Sequence, residues 1–315
     1  MINFWQSLPK PFTVLAPMDD VTDNVFRQVF MESARPDVFF TEFVNSDGLN
    51  HGANGIPLRK LQFTPDQHPI VAQIWGNKPE SMEKATKAIV KLGFDGIDIN
   101  MGCPVRDVVK SGSGAGLIGN YDLAKEIIDS VKKGAGGLPI SVKTRLGVNE
   151  NVATEWITFL LRQGLTALTV HGRIAKQMSK GDADWEEIGE IVKLRNEISP
   201  NTIIIGNGDI KSYEEVTLAG KKYGVDGVMI GRGIFTNPWV FDPRALPHTK
   251  EDYFKLLIKH IDLFEATWGH TKNFEVIKKF FKMYIKDYEG ANTFRQKLME
   301  AKSLEEMRNI ISSNI

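Results

Sequence analysis

Gly96-Ile97-Asp98-Ile99-Asn100-Met101-Gly102-Cys103-Pro104 is the stretch from which the fold can be read outward. Ile97 and Ile99 alternate with polar residues, the period of a strand, and Gly102 with Pro104 ends it abruptly. The only cysteine of the chain sits on that stop. Downstream, Val108-Val109-Lys110-Ser111-Gly112-Ser113-Gly114-Ala115-Gly116 is too rich in glycine for a continuous helix and predicts a mobile loop. A thiol at the end of a strand beside such a loop is placed for chemistry, although a lone cysteine is also one of the residue types most often simply buried.

Seven further β-rich runs flank this one: Thr13–Ala16, Val38–Phe43, Ile70–Ile74, Ile140–Lys143, Leu168–His171, Thr202–Ile205 and Gly227–Ile230. Several are nearly continuous apolar runs, as expected of parallel strands covered on both faces. Amphipathic helices lie between most of them. Pro79 opens one with Met82, Ala85, Ile89 and Leu92 on a single face, ending at Gly93; others present Leu123, Ile127 and Val131, then Trp185, Ile188 and Val192. Alternating strand and helix argues for right-handed βαβ units, and eight strands over about 230 residues fit a closed (β/α)8 TIM barrel, with an open doubly wound sheet as the alternative. After Trp239 the texture changes. Asp242-Pro243-Arg244-Ala245-Leu246-Pro247 reads as a linker, and the helical spacing of Tyr253, Leu256, Leu257, Ile261 and Phe264, then of Ile277, Phe281, Tyr284 and Tyr288, predicts a small all-helical C-terminal domain. The expected division is a catalytic barrel over 1–242 and a helical domain over 243–315.

The bulk properties are ordinary. In 315 residues, 42% are hydrophobic and 25% charged, as in common globular chains. No apolar run reaches the roughly 20 residues that span a bilayer, and Met1-Ile2-Asn3-Phe4-Trp5 has neither the basic nor the apolar part of a signal peptide, so the expected location is cytoplasmic, without membrane contact. One cysteine excludes an internal disulfide and any multi-cysteine metal site, and no metal is expected. Lys plus Arg equals Asp plus Glu at 39 each, so binding a polyanion would need a local basic patch.

In a barrel of this kind the chemistry collects where strands end. Those ends are Ala16-Pro17-Met18, Gln73, Asn100 to Cys103, Lys143-Thr144-Arg145, His171-Gly172-Arg173, Asn207-Gly208-Asp209 and Gly231-Arg232-Gly233. The loops after the seventh and eighth strands are the usual phosphate site of the fold, so a phosphate-bearing ligand is expected near Gly208 and Arg232. Lys143 in the mouth could form a Schiff base, hold negative charge on a flavin or substrate, or be satisfied by an acidic neighbour. His171 is either a core histidine or part of the site.

These residues, taken together, resemble the tRNA-dihydrouridine synthase family. The matching motifs are Ala16-Pro17-Met18 with Val21-Thr22-Asp23 and Phe26-Arg27, Asp98 to Pro104, Val142 to Gly147, Val170 to Arg173, Ala183-Asp184-Trp185, Gly206 to Ile210, and Gly231-Arg232-Gly233 with Asn237-Pro238-Trp239. The resemblance runs from about residue 12 to 242 in the family's order. It implies FMN-dependent reduction of particular uridines in tRNA to 5,6-dihydrouridine, with NADPH as reductant and tRNA as partner; separately, a monomer is expected. By position, it implies that Pro17, Met18, Asp19, Gln73, Lys143, His171, Asn207, Gly208, Asp209, Gly231 and Arg232 hold FMN, Asp19 through its backbone. It makes Cys103 the proton donor and places Asn100, Arg145 and Arg173 near the target base. Asp19 and Asp20 depart from the commonest form of the first motif, where a small residue and glycine are expected. In the tail, Lys278, Lys282 and Lys286 at i, i+4 and i+8, with Lys279 beside them, predict a basic ridge for RNA. The rival readings are a flavin enzyme acting on a free pyrimidine, as in dihydroorotate oxidation, a Schiff-base lyase using Lys143, and a non-catalytic tRNA-binding protein.

Overall fold

The computed structural model describes residues 3–31, 33–52, 55–269 and 271–314. The eight runs become nine strands: β1 (Phe12–Leu15), β2 (Phe39–Phe40), β3 (Val44–Asn45), β4 (Ile70–Trp75), β5 (Gly96–Met101), β6 (Ile140–Arg145), β7 (Ala167–His171), β8 (Ile203–Asn207) and β9 (Gly227–Ile230). All pair in parallel in the order β1-β9-β8-β7-β6-β5-β4-β2, with β3 also on β4. A bridge from Val14 to Val38 joins the two ends, closing the sheet into a barrel. The second run, read as one strand, is split, so that β2 and β3 share one barrel position.

The register shows why the barrel has a dry end and a polar end. Side chains of a strand alternate between the interior and the helix-covered outside. Phe12 and Val14 stand beside Gly227 and Met229, and Ala167 beside Ile203. With Trp5, Phe40, Val71 and Ile205 they make one buried apolar cluster. Gly227 is needed there, since a Cβ at that position would lie 2.3 Å from the Phe12 ring. One or two layers onward the same interior face carries Gln73, Asp98 and Asn100, Ser141, Lys143 and Arg145, Thr169 and His171, and Asn207, all towards the C-terminal ends of the strands. Burial of apolar side chains at one end thus leaves the polar groups to the other.

Helices fill the intervals as their end signals dictate. Pro79–Val90 begins with its proline at the first position and buries Met82, Ala85 and Ile89; Leu92 lies beyond its end and is exposed. Asp184 caps Trp185–Ile198 by accepting from the Glu187 N–H at 2.9 Å. The stretch expected to be a mobile loop is instead a short helix, Arg106–Lys110, followed by a 3-10 turn, Gly114–Leu117, with Ala115 and Leu117 fully buried. The Ala115 N–H donates to the Cys103 carbonyl at 3.0 Å, so glycine here permits close packing rather than an open loop.

By compactness the chain divides into a first unit of 1–24, 36–210 and 214–231, and a second of 25–35, 211–213 and 232–315. This division differs from a single cut at residue 242. In the second unit, Lys250–Trp268 is the longest helix, opened by a capping box of Thr249 and Asp252 and burying Phe254, Leu257, Ile261 and Phe264. Phe274–Phe280 forms a 3-10 turn, Phe281–Tyr284 a short helix, and Ala291–Glu300 and Leu304–Ser312 two more. Among the described residues no helix is long and apolar enough to cross a membrane.

Candidate active site

Cys103 stands just past β5, and its position is set from behind. Asn100 Oδ1 accepts from the backbone N–H groups of Gly102 and Cys103 at 3.1 and 2.9 Å, while Asn100 Nδ2 donates to Gln73 Oε1 at 2.9 Å. Gln73 Nε2 donates in turn to Asp98 Oδ2 at 2.7 Å. Gln73 is fully buried with both ends of its amide engaged. Arg145, also buried, closes the other side by donating from Nε to the Gly102 carbonyl at 2.9 Å and from Nη1 to the Met178 carbonyl at 3.1 Å.

The thiol is nearly buried, at 9% exposure, and loss of solvent pushes its pKa up. The Val105 N–H, Arg145 and Lys143 pull the other way, and Asp19 adds to the rise. Cys103 is thereby held as S–H, the form of an acid rather than of a nucleophile.

Lys143 lies across from Asn100 on one side and Thr169 on the other. Burial pushes its pKa down to about 8, helped by Arg145 and opposed by Asp98 and Cys103. Among the described residues, neither Lys143 Nζ nor the buried Thr169 Oγ1 has a hydrogen-bond partner. Asp98 is fully buried, and burial pushes its carboxyl up to about 6 against the hydrogen bonds from Ser141 and Gln73 and the charge of Lys143.

Arg145, His171 and Asn207 share one level across β6, β7 and β8. Arg173 turns away from the row into the loops: Nη1 meets His171 Nε2 at 3.1 Å, and Nη2 donates to Asp209 Oδ2 and to the Gly181 carbonyl at 2.5 Å each. Asp209 also accepts from the Ala183 N–H at 2.8 Å. Arg173 is 2% exposed and the carboxylate of Asp209 is taken by these donors, so this pair ties the loops after β7 and β8 together. Gly208 has φ 136, and a Cβ there would lie 2.4 Å from Ala183, so its bare backbone is required where the loops meet. Asn207 Nδ2 donates to the Met229 carbonyl at 2.7 Å. Pro17 and Met18 are half-buried just past β1, and Gly231 follows β9.

The two unexplained carboxylates of the first motif have a local cause. Asp19 and Asp20 gather with the buried Glu42, their ligand atoms within 4.8 Å of one another, and the Lys60 ammonium bonds Asp19 and stands 3.9 Å from Glu42. The Asp20 N–H donates to Glu42 at 2.7 Å. A lysine thus serves as the counter-ion of the group.

In the second unit the expected lysine ridge does not form. Lys278 is buried, with Nζ donating to Glu275 and the Met299 carbonyl at 2.7 Å and to the Ala301 carbonyl at 3.0 Å; it caps a helix end and is not presented to a ligand. The helix ends at Tyr284, so i+4 spacing does not carry on to Lys286. What exists is a cavity of about 990 Å³ lined by Lys279, Lys282, Lys286 and Arg295, with Phe235 and Tyr288 among its apolar walls. Arg232 opens the second unit, before the turn Gly233–Thr236.

Sequence reasoning missed Asp98, Ser141 and Thr169. The signal for Asp98 was its spacing of two from Asn100 on one strand, which puts both side chains on one face.

A family model described as Dihydrouridine synthase (Dus) matches residues 14–314. The chain belongs to the dihydrouridine synthase family. It is 47% identical over 312 residues to the "Probable tRNA-dihydrouridine synthase 2" of Bacillus subtilis strain 168, covering 98% of this chain and 95% of that one. It is 45% identical over 314 residues to a "Probable tRNA-dihydrouridine synthase" of Staphylococcus epidermidis strain ATCC 12228, covering 99% and 96%. Among solved structures, the X-structure of a variant of NCR from Zymomonas mobilis aligns with a TM-score of 0.51 at 17% identity, over 76% of this chain and 89% of that one. At that identity the likeness is one of fold alone. The match to the dihydrouridine synthase family takes in the barrel and the helical residues after it, so the second unit is part of what defines the family here.

Proposed function

We propose that this chain reduces uridines in tRNA to 5,6-dihydrouridine, with FMN as its bound cofactor and NADPH as the reductant. The observation that carries this reading is the pairing, at one barrel mouth, of a thiol kept protonated by burial with an ammonium that makes no hydrogen bond to the protein. The donor set fits FMN. Lys143 Nζ and Thr169 Oγ1 leave one cation and one hydroxyl to meet the polar edge of a flavin, and the loops after β8 and β9, which carry Gly208 and Gly231, are where this fold commonly takes a phosphate.

When bound, FMN supplies the hydride that C6 of the uracil receives. Cys103 holds the proton at Sγ and delivers it to C5, which takes up the electron pair released by the C5–C6 double bond; the thiolate left behind regains its proton from water. Asn100 and Arg145 position the Cys103 backbone, Arg145 keeps positive charge near the base, and a uridine reaches this depth only when unstacked from its neighbours. Lys279, Lys282, Lys286 and Arg295 provide the local basic surface that a chain of zero net charge needs to hold RNA.

The test is mass mapping of dihydrouridine in tRNA from cells lacking the gene, after incubation with the purified yellow protein and NADPH. New dihydrouridine at defined positions is expected. Cys103→Ala should still oxidise NADPH and yield no product. No dihydrouridine from the unsubstituted protein overturns the reading, and full yield from Cys103→Ala overturns the role of the thiol.

A further inference from the structure

Asp98 lies one layer deeper in the barrel than Asn100, on the same face of β5, and the chemistry above gives it no task. Both of its oxygens are occupied: Oδ1 accepts from Ser141 Oγ at 2.6 Å and Oδ2 from Gln73 Nε2 at 2.7 Å. A carboxylate accepts and does not donate, whereas an amide has a donating and an accepting end. Gln73 therefore has one way round, with its NH2 towards Asp98 and its carbonyl towards Asn100. Asn100 is then fixed in turn, with its NH2 on Gln73 and its carbonyl facing the N–H groups of Gly102 and Cys103. If either amide were reversed, donor would face donor at the next link.

We propose that Asp98 is a positioning residue for Cys103, setting the sense of both amides and so the point from which the thiol is presented. By hydrogen bonds, Asp98 reaches Cys103 through Gln73 and Asn100. Every member of the series is at most 9% exposed, so water cannot substitute for a lost link without entering the barrel. With its carboxyl pushed up only to about 6, Asp98 is mostly ionised at neutral pH and keeps its accept-only character. The inference rests on the proposed role of Cys103 as the acid.

Cys103 is the only cysteine of the chain, so alkylation by iodoacetamide reads this one thiol. In the cofactor-free full-length protein at about pH 8, Asp98→Ala should raise the alkylation rate roughly tenfold, as local opening of the Cys103 backbone becomes easier. Asp98→Asn should stay within about twofold of the unsubstituted rate, because its carbonyl can accept from Gln73 while the Ser141 hydroxyl turns to accept from its NH2. That rescue separates positioning from general loosening. Gln73→Met leaves Asp98 in place and cuts the same series, so a rise of about tenfold is expected there too, and Asp98→Ala with Gln73→Met should be no faster than Gln73→Met alone. Unsubstituted rates in Asp98→Ala or Gln73→Met, equal acceleration by Asn and Ala at 98, or rates that multiply in the double variant overturn the proposal; should Asp98→Ala not fold, Gln73→Met decides alone. These rates need neither flavin nor tRNA, so failure of the uridine assay would leave them standing. Unsubstituted alkylation rates beside normal turnover would overturn the role of Asp98 only.

Discussion

Lys143, desolvated in the barrel, is a liability to the fold. Its ammonium is half-buried with no hydrogen-bond partner, and desolvation holds its pKa at about 8. Between about pH 8 and the ordinary lysine value the folded chain binds fewer protons than the unfolded one, so this group makes stability climb with pH across that window. Lys143→Met should therefore stabilise the cofactor-free protein by about 1–2 kcal/mol at neutral pH, a figure discounted for partial exposure. The gain should be full below about pH 8 and fade above it, while flavin retention falls. Denaturant melts at a series of pH values check the first part and the flavin to protein absorbance ratio the second; a variant less stable at neutral pH would sink the argument. Lys143 and Cys103 were legible in the sequence as candidates because they stand at strand ends, where a barrel keeps its chemistry. Asp98 was not, because what defines it comes from neighbouring strands: Gln73 is 25 residues away and Ser141 43. Arg173 and Asp209 both stand at strand ends in the sequence, but their pairing with each other was not legible, since only the folded loops bring them to 2.5 Å.

At the scale of elements, the alternation of strand and helix could be read off because each run is bounded by its own local signals, such as Pro79 at the start of one helix and Asp184 at the cap of another. The tail between Phe274 and Tyr288 could not. Its apolar residues keep helical spacing, yet a 3-10 turn, a short helix and an extended Ile285 follow one another, and this rotates Lys278 inward. Its ammonium meets the carbonyls at the end of Ala291–Glu300, where a positive charge is favoured by the helix dipole. Lys278→Ala should cost about 2–3 kcal/mol of stability, because three acceptors, two of them backbone carbonyls, lose a charged donor. Lys282→Ala, on the exposed wall of the basic cavity, should lie within about 0.5 kcal/mol of the unsubstituted protein but weaken tRNA binding and lower its salt slope by about one. Melts and salt-dependent binding curves separate the two lysines. The opposite pattern would restore Lys278 to the RNA surface.

At the scale of the molecule, a sequence cut at residue 242 suggests that the barrel can be isolated by deleting the tail. The packing argues against it. Residues 25–35, in the stretch between β1 and β2, belong to the second compact unit. Within that unit Phe26 meets Phe280 with ring centroids 5.4 Å apart, Phe235 at 6.3 Å and His260 at 6.1 Å, and lies tilted against Phe30 at 4.8 Å. Val25, Phe26, Val29 and Phe30 are all fully buried. A chain ending at residue 242 keeps these side chains and loses Phe280 and His260, so roughly 1.5–3 kcal/mol of burial is forfeited for each phenylalanine that becomes exposed. The apolar patch that results invites association. The truncated protein should therefore be aggregation-prone, bind a hydrophobic dye and lack a cooperative melt, rather than behave as a barrel that has merely lost affinity for tRNA. Light scattering, dye fluorescence and a thermal scan on residues 1–242 check this; a monomer with a melting temperature close to that of the full chain would show that residues 25–35 find cover within the barrel itself. Loss of turnover on truncation would then be no test of the proposed role of the helical residues in RNA binding, and that role has to be read from surface substitutions such as Lys282→Ala, which leave the core of both units intact.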